Sequence, residues 1–343
     1  SNVATTLEAH AIGVDEKIVL DGRADEPAWQ AAPSVTVVTQ GVGGDGRVVP
    51  VTIRSLLQDD VIYFGFSWPD DTPSLEHMSL LKTEQGWVVQ QEGLLKHDET
   101  RHYEDKLAVM FAEGGNAAGH GSVQLGAHAL GKDQPAHATG RGFHAVMGDT
   151  PLVDVWHWKA VRNRYAHQLD DSHFGSPYPA IPGELRYTAG YKPDPATTGF
   201  HYTQNWLWFQ EGVITPKRLP ENPALLEKFQ GKNQDDPDLV WGMDWYETVP
   251  YTPELDQYPV GTRMPSVIWK NRAEGDVAHV RAFGRWKDGQ WTLETRRPLN
   301  TDSDFDITIR DGVYFWVAPF DHAQIRHGYH LRPVQLKLPE TQP

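Results

Sequence analysis

Apolar and polar residues alternate along most of the chain, and that period of two predicts strands rather than helices. Residues 49–68, VPVTIRSLLQDDVIYFGFSW, read as two strands about the turn-like QDD. Residues 276–299, DVAHVRAFGRWKDGQWTLETRRPL, read as a second hairpin with Asp288-Gly289 as its two-residue turn. Further strands are predicted in KIVLDG (17–22), VTVVT (35–39), DKLAVMFAE (105–113), VDVWHWKAVR (153–162), GVYFWVAPFD (312–321) and HLRPVQLKLP (330–339). In DKLAVMFAE, alternation places Leu107, Val109 and Phe111 on the core face and Ala108 with Met110 on the other. Between the first two of these runs, Asp25 reads as the cap of a short helical turn with Pro27 at its first position.

Two stretches break the pattern. Residues 114–150 are rich in Gly, Ala and His, a loop composition longer than structureless loops usually run. Residues 165–265 are Pro-rich and aromatic, with one short helix expected at 223–231 before a Gly stop. No fixed-period repeat occurs. The layout expected is therefore a single domain over 1–343, an all-β sandwich lengthened by loop-rich insertions at 114–150 and 165–265.

Composition strengthens the β reading: 11% aromatic residues, 13 Trp, 31 Gly and 25 Pro suit short strands joined by turns. A net charge of −15 without a Lys/Arg block argues against nucleic acid, whose binding needs clustered cations. No window approaches the roughly 18 apolar residues of a membrane span, so no membrane insertion is expected. The N-terminus lacks the basic and apolar regions of a signal peptide, and a secretory leader already removed is compatible with the opening SN. With no Cys there is no disulfide, no thiolate metal site and no covalent c-type haem.

Candidate chemistry starts at Met110, whose thioether is a soft, uncharged ligand suited to haem iron. A lone Met on a strand is ordinarily core filler, so a ligand role needs a partner and a pocket. There are 16 His, and His327 and His330 stand three apart before the last strand, too few for zinc without further donors. In DVWHWKA, Trp156 and Trp158 share one face, and His157 with Lys159 the other; the indoles would meet a flat apolar ligand and the cations its carboxylates. A core role for both Trp fits the same pattern. Paired Asp at 59, 70, 170 and 235 do not separate a catalytic pair from turn residues or a calcium loop. HEXXH, GXSXG and a phosphate loop are absent.

DGRADEPAW, YEDKLAVMF, VDVWHWKAVR, RWKDGQWTLETRRPL and GYHLRPVQLKL, in that order, resemble the ethylbenzene-dehydrogenase-type haem-binding domain family. That family includes the haem b subunits of periplasmic molybdenum dehydrogenases of the dimethyl sulfoxide reductase class and related cytochromes. The resemblance spans roughly residues 14 to 338. It implies an immunoglobulin-like β-sandwich holding one b-type haem for single-electron transfer, related in architecture to family 9 carbohydrate-binding modules, which DGRADEPAW also resembles. The family's iron ligands are a Met, which carries over to Met110, and a Lys from the C-terminal region. Here that region has no Lys before Lys337 and offers His330, with His327 behind it. Where similar cytochromes carry Cys-X-X-Cys-His, this chain has QLGAH, ending on His128.

The expectation is a periplasmic haem b protein that transfers electrons without substrate chemistry of its own. Met110 with His330 or His327 would hold the iron, Trp156, Trp158 and Lys159 would form the pocket, and Arg101 and His102 its rim. A redox protein or a molybdenum oxidoreductase catalytic subunit is the expected partner. The alternatives are a haem-free carbohydrate- or ligand-binding sandwich, with Trp stacked on sugar and calcium on an Asp-rich turn, or an accessory subunit of a molybdenum oxidoreductase.

Overall fold

Both edges of Lys106–Ala112 are paired: Phe111 stands opposite Phe315 on one side and Asp154 on the other, and Val109 opposite Val317 and Trp156. The computed structural model describes residues 3–114, 123–126, 143–179, 181–182, 187–208 and 210–340. Within it this strand is central to a seven-stranded sheet ordered Thr5–Glu8, Val334–Lys337, Tyr314–Phe320, Lys106–Ala112, Val153–Lys159, Asp170–Phe174, Tyr191–Pro193. A six-stranded sheet is ordered His10–Ala11, Arg47–Gln58, Val61–Pro69, Gln290–Pro298, Arg281–Lys287, with Val35–Val42 also on Arg47–Gln58.

The inward faces of the two sheets meet in one buried cluster, which makes the fold a β-sandwich. Leu107, Val109, Phe111 and Trp156 from the first sheet pack on Ile53, Phe64, Phe66 and Leu293 from the second. Phe64 lies 5.7 Å from Phe111 and 5.8 Å from Trp156, ring centre to ring centre. Each such side chain removed from water contributes about 1.5–3 kcal/mol, so the alternating pattern is enforced strand by strand. A one-residue slip would carry the whole apolar set to the wrong face.

The two hairpins form where the sequence places them. Gln58 pairs with Val61 and Lys287 with Gln290, leaving Asp59-Asp60 and Asp288-Gly289 as the loops. Asp288 at φ 52° and Gly289 at φ 79° have the positive angles that match the strands' twist.

Several expectations change. KIVLDG is not a strand: Ile18 and Leu20 pack beside Trp29, and the Asp21 and Gly22 N–H groups are taken by the Glu294 carboxylate instead of a ladder. The helical turn Pro27–Ala31 has Pro27 at its start, but Glu26 holds the cap position and makes no side-chain cap bond, so Asp25 is not the cap. Of HLRPVQLKLP only Val334–Lys337 is a strand. The helix at 223–231 is a 3-10 helix, Pro223–Phe229, capped by Asn222.

The 165–265 stretch is less loop-like than its composition. Asp170–Phe174 and Tyr191–Pro193 extend the seven-stranded sheet. Their DDSHF reads as polar, yet every residue of it is buried; Asp170 is answered by Lys159 and His173 by Asp194. Farther on, Trp206, Trp241, Met243 and Met264 join Met78, Trp87 and Tyr103 in a second buried cluster. Of residues 114–150, Val123–Gly126 and Phe143–Val146 pair antiparallel, and His128 lies outside the described residues.

Candidate functional site

The outward face of the seven-stranded sheet is also apolar where it should meet water. Met110 lies between Val155 and Trp316 in register, and these three pack with Val146, Val153 and Phe174 in a cluster separate from the sandwich core. Met110 is 9% exposed. Ala108, Met110, Val155, Trp316 and Phe320 form one wall of an apolar cavity.

Four imidazoles join this wall: His144, His157, His327 and His330. His157 comes from the same strand as Val155, stacks on Phe320 with centroids 5.3 Å apart, and meets the Tyr191 hydroxyl through Nδ1 at 3.0 Å. Its Nε2 is buried without a partner. His144 stacks on Phe174 at 5.0 Å. His327 and His330 arrive on the segment after Tyr314–Phe320, which is clamped by backbone bonds from Gly328 to Pro319 at 2.8 Å and between Tyr329 and Gln40 at 3.0 and 3.1 Å. Gly328 is needed there. A Cβ on it would lie 2.6 Å from Val42 Cγ2 and 2.7 Å from Thr39 Oγ1.

The two C-terminal histidines differ in what they have left to offer. His330 donates from Nδ1 to the Arg332 carbonyl at 2.8 Å, and its Nε2 accepts the Val317 N–H at 2.9 Å, so both ring nitrogens are committed. His327 donates from Nδ1 to the Gly328 carbonyl at 2.7 Å, which fixes the tautomer with the lone pair on Nε2. Burial holds His327 below the ordinary imidazole range and His157 well below it, Lys106 adding to both and Lys159 to the latter. Both rings are therefore neutral at neutral pH, the form in which imidazole binds metal.

A second, more polar cavity shares His144, His157, Tyr191, Phe320 and His327 with the first. Lys106, Lys159 and Arg162 line it. The Lys106 ammonium donates to the Gln324 carbonyl at 2.8 Å and lies 4.1 Å from the centre of the Phe320 ring. Lys159 donates to Asp170 at 2.5 Å, and burial pulls its pKa down to about 8 with Arg162 adding to the effect. Arg162 is paired with Glu104. Apolar slot and cationic annex together match an amphipathic ligand with an aromatic body and carboxylate tails.

Of the residues singled out in the sequence, Met110, Lys159, His327 and His330 come together here. Trp156 and Trp158 do not: they point into the sandwich, Trp156 against Phe111 and Trp158 against Trp68 and Trp291. They are 0% and 3% exposed and present no face to a planar ligand or a sugar. Arg101 and His102 lie at a separate surface hollow with Gln234 and Arg263, Arg101 paired with Glu92. A bend there is held by Glu99, which accepts the N–H groups of both, and neither residue lines the Met110 cavity. Nothing in the sequence singles out His144, Tyr191 or Phe320, while His157 is read with Lys159 on the face opposite the indoles but not among the pocket residues. Parity in VDVWHWK sets His157 opposite the indoles, and that was the available signal for it.

The sequence matches the ethylbenzene dehydrogenase family model over residues 26–332, and the chain belongs to that family. No curated protein matches it in sequence. Among solved structures it is similar to a family 9 carbohydrate-binding module from Caldicellulosiruptor kristjanssonii in complex with glucose, at 8% identity and a TM-score of 0.33, covering 97% of each chain. The same module in complex with cellotriose gives 8% identity and a TM-score of 0.31, covering 98% of this chain and 95% of that one. Among the described residues no helix is long and apolar enough to cross a membrane.

Proposed function

We propose that this chain is a periplasmic electron-transfer protein that binds one b-type haem in the Met110 cavity, with Met110 and His327 as the protein's iron ligands. The observation that carries the reading is the meeting of a buried thioether and a tautomer-fixed neutral imidazole, from separate segments, at one apolar cavity with a cationic annex. Ligands on opposite sides of a planar group must come from different walls. His157 pairs with Ala108, one alternate position from Met110 on the same sheet face, so the two side chains rise from one wall of the cavity. His330 would have to abandon the Val317 N–H. His327 replaces His330 as the preferred second ligand for that reason.

Met110 and His327 would hold the iron, and Lys106 and Lys159 would meet the propionates. Bound there, haem supplies a one-electron couple, and Met with imidazole ligation favours a high potential. The protein's own part is to exclude water with Phe174, Trp316 and Phe320 and to hold His327 through the Gly328 carbonyl. A redox partner, a molybdenum oxidoreductase catalytic subunit among them, goes with family membership, and the charge of −15 favours a basic contact face on it.

The test is titration of the haem-free chain with haemin. One equivalent should be taken up with a sharp Soret band, and Met110→Ala and His327→Ala should each change that spectrum. Absence of uptake, or a spectrum unchanged in both variants, would overturn the reading.

A further inference from the structure

On the core side of the same sheet, the face opposite the haem cavity, four aspartates meet inside the protein. Asp154 lies on Val153–Lys159 and Asp171 on the neighbouring strand, where Trp156 is its register partner. Asp154 and Asp171 therefore share the face opposite His157 and Lys159. Asp194 follows the next strand, its N–H bonded to the Asp171 carbonyl at 2.9 Å. Asp306 comes from the loop between Gln290–Pro298 and Tyr314–Phe320, where Thr301 donates to it at 2.6 Å and His279 Nδ1 meets it at 3.1 Å.

Asp171 is 0% exposed, and neither of its carboxylate oxygens has a hydrogen-bond partner. Asp154 Oδ1, Asp194 Oδ2 and Asp306 Oδ1 are likewise buried without a partner. Donor atoms of Asp171, Asp306 and His279 all lie within 4.8 Å of one another. Buried carboxylate oxygens with no donor cost several kcal/mol each unless something neutralises them. Arg297 answers one charge, bonding Asp154 Oδ2 at 2.8 Å, and the Asp306-bound imidazole of His279 a second. His173 Nδ1 also meets Asp194 Oδ1 at 2.7 Å, but burial and Lys192 hold that imidazole below its ordinary range, so Asp171 and Asp194 have no cationic partner and a divalent cation would neutralise both once ionised.

We infer that Asp154, Asp171, Asp194 and Asp306 form a structural site for a hard divalent cation of the calcium type. All five orphaned atoms are oxygens, the donor that Ca²⁺ prefers in sets of six to eight, with waters completing the set. Zinc would instead draw on His279, whose Nδ1 is already engaged with Asp306. Mutual repulsion shows in the ionisation of the group as it stands. Burial first, then Asp154, Asp306 and Asp194, push Asp171 well above the carboxylate range, and burial with Asp306 raises Asp194 to about 9. A cation here would join the last strands of the seven-stranded sheet to the loop leaving the other sheet, clamping the open end of the sandwich.

The site shares no residue with the haem cavity, so its test reads separately from haem uptake. Chelator-treated full chain is titrated with CaCl₂ by calorimetry and melted with and without calcium, alongside Asp171→Asn. One calcium per chain should bind, the melting temperature should rise by several degrees, and Asp171→Asn should weaken binding at least tenfold while leaving haem uptake unchanged. If the wild-type chain shows neither heat nor a melting shift with calcium, the inference fails. A higher melting temperature for Asp171→Asn than for wild type in saturating calcium would also overturn it, since Asp171 would then only repel its neighbours. Should the variant not fold, the wild-type titration decides alone.

Discussion

Arg297 Nη1 donates to Asp154 Oδ2 at 2.8 Å with both side chains fully buried, and this ion pair links the six-stranded sheet to the seven-stranded one. The guanidinium also donates to the Ile307 carbonyl at 2.8 Å and the Leu299 carbonyl at 3.1 Å, so the loop behind it depends on the same side chain. Removing one partner of such a pair leaves a buried charge without compensation. Arg297→Met should therefore cost about 3–5 kcal/mol in urea unfolding, far more than an exposed Arg such as Arg101.

The two C-terminal histidines should separate cleanly. His330→Ala removes the acceptor of the buried Val317 N–H and should cost about 1–3 kcal/mol of stability, while the spectrum of haem-loaded protein stays as in wild type. His327→Ala should do the reverse, shifting the spectrum with a smaller change in unfolding free energy.

Gly328→Ala tests whether placement of His327 matters apart from its chemistry. The added methyl meets Val42 and Thr39, so the strap must lift from Val35–Val42. Overpacking of this kind costs about 1–3 kcal/mol, and haem titration should show weakened uptake with both proposed iron ligands still present.

Glu294 predicts a pH dependence. Burial raises its pKa from 4.5 to about 7, against the Gly22 and Asp21 N–H bonds that lower it. The folded state therefore binds more protons than the unfolded state between these values. The stabilising contribution is complete below about pH 4.5 and is lost as pH rises through 7. Wild-type stability relative to Glu294→Gln should fall across that interval in denaturant titrations at successive pH values.

Much of the sandwich is legible one strand at a time. Alternation in DKLAVMF divides Leu107, Val109 and Phe111 from Ala108 and Met110, and the structure keeps that division. Alternation in VDVWHWK likewise separates the indoles from His157, but it does not say which face meets a cavity. Both faces of the seven-stranded sheet are covered, and only packing against the second sheet assigns Trp156 to the core. The pair Asp170-Asp171 shows the same limit. Its sequence leaves a catalytic pair, a turn and a calcium loop open, yet it is strand, with Asp170 turned to Lys159 and Asp171 to the opposite side among the other aspartates.

What the sequence by itself determined is what depends on neighbours along the chain: the central strands DKLAVMF and VDVWHWK, the two tight hairpins, the lack of any thiol and the family to which the motifs belong. The different hydrogen bonding of His327 and His330, the gathering of His144 and His157 around Met110, and the meeting of Asp154, Asp171, Asp194 and Asp306 were decided by tertiary structure alone. Period-two patterning is a local signal, whereas these groups are brought together by strand order and by single long-range bonds such as Val317 N–H to His330.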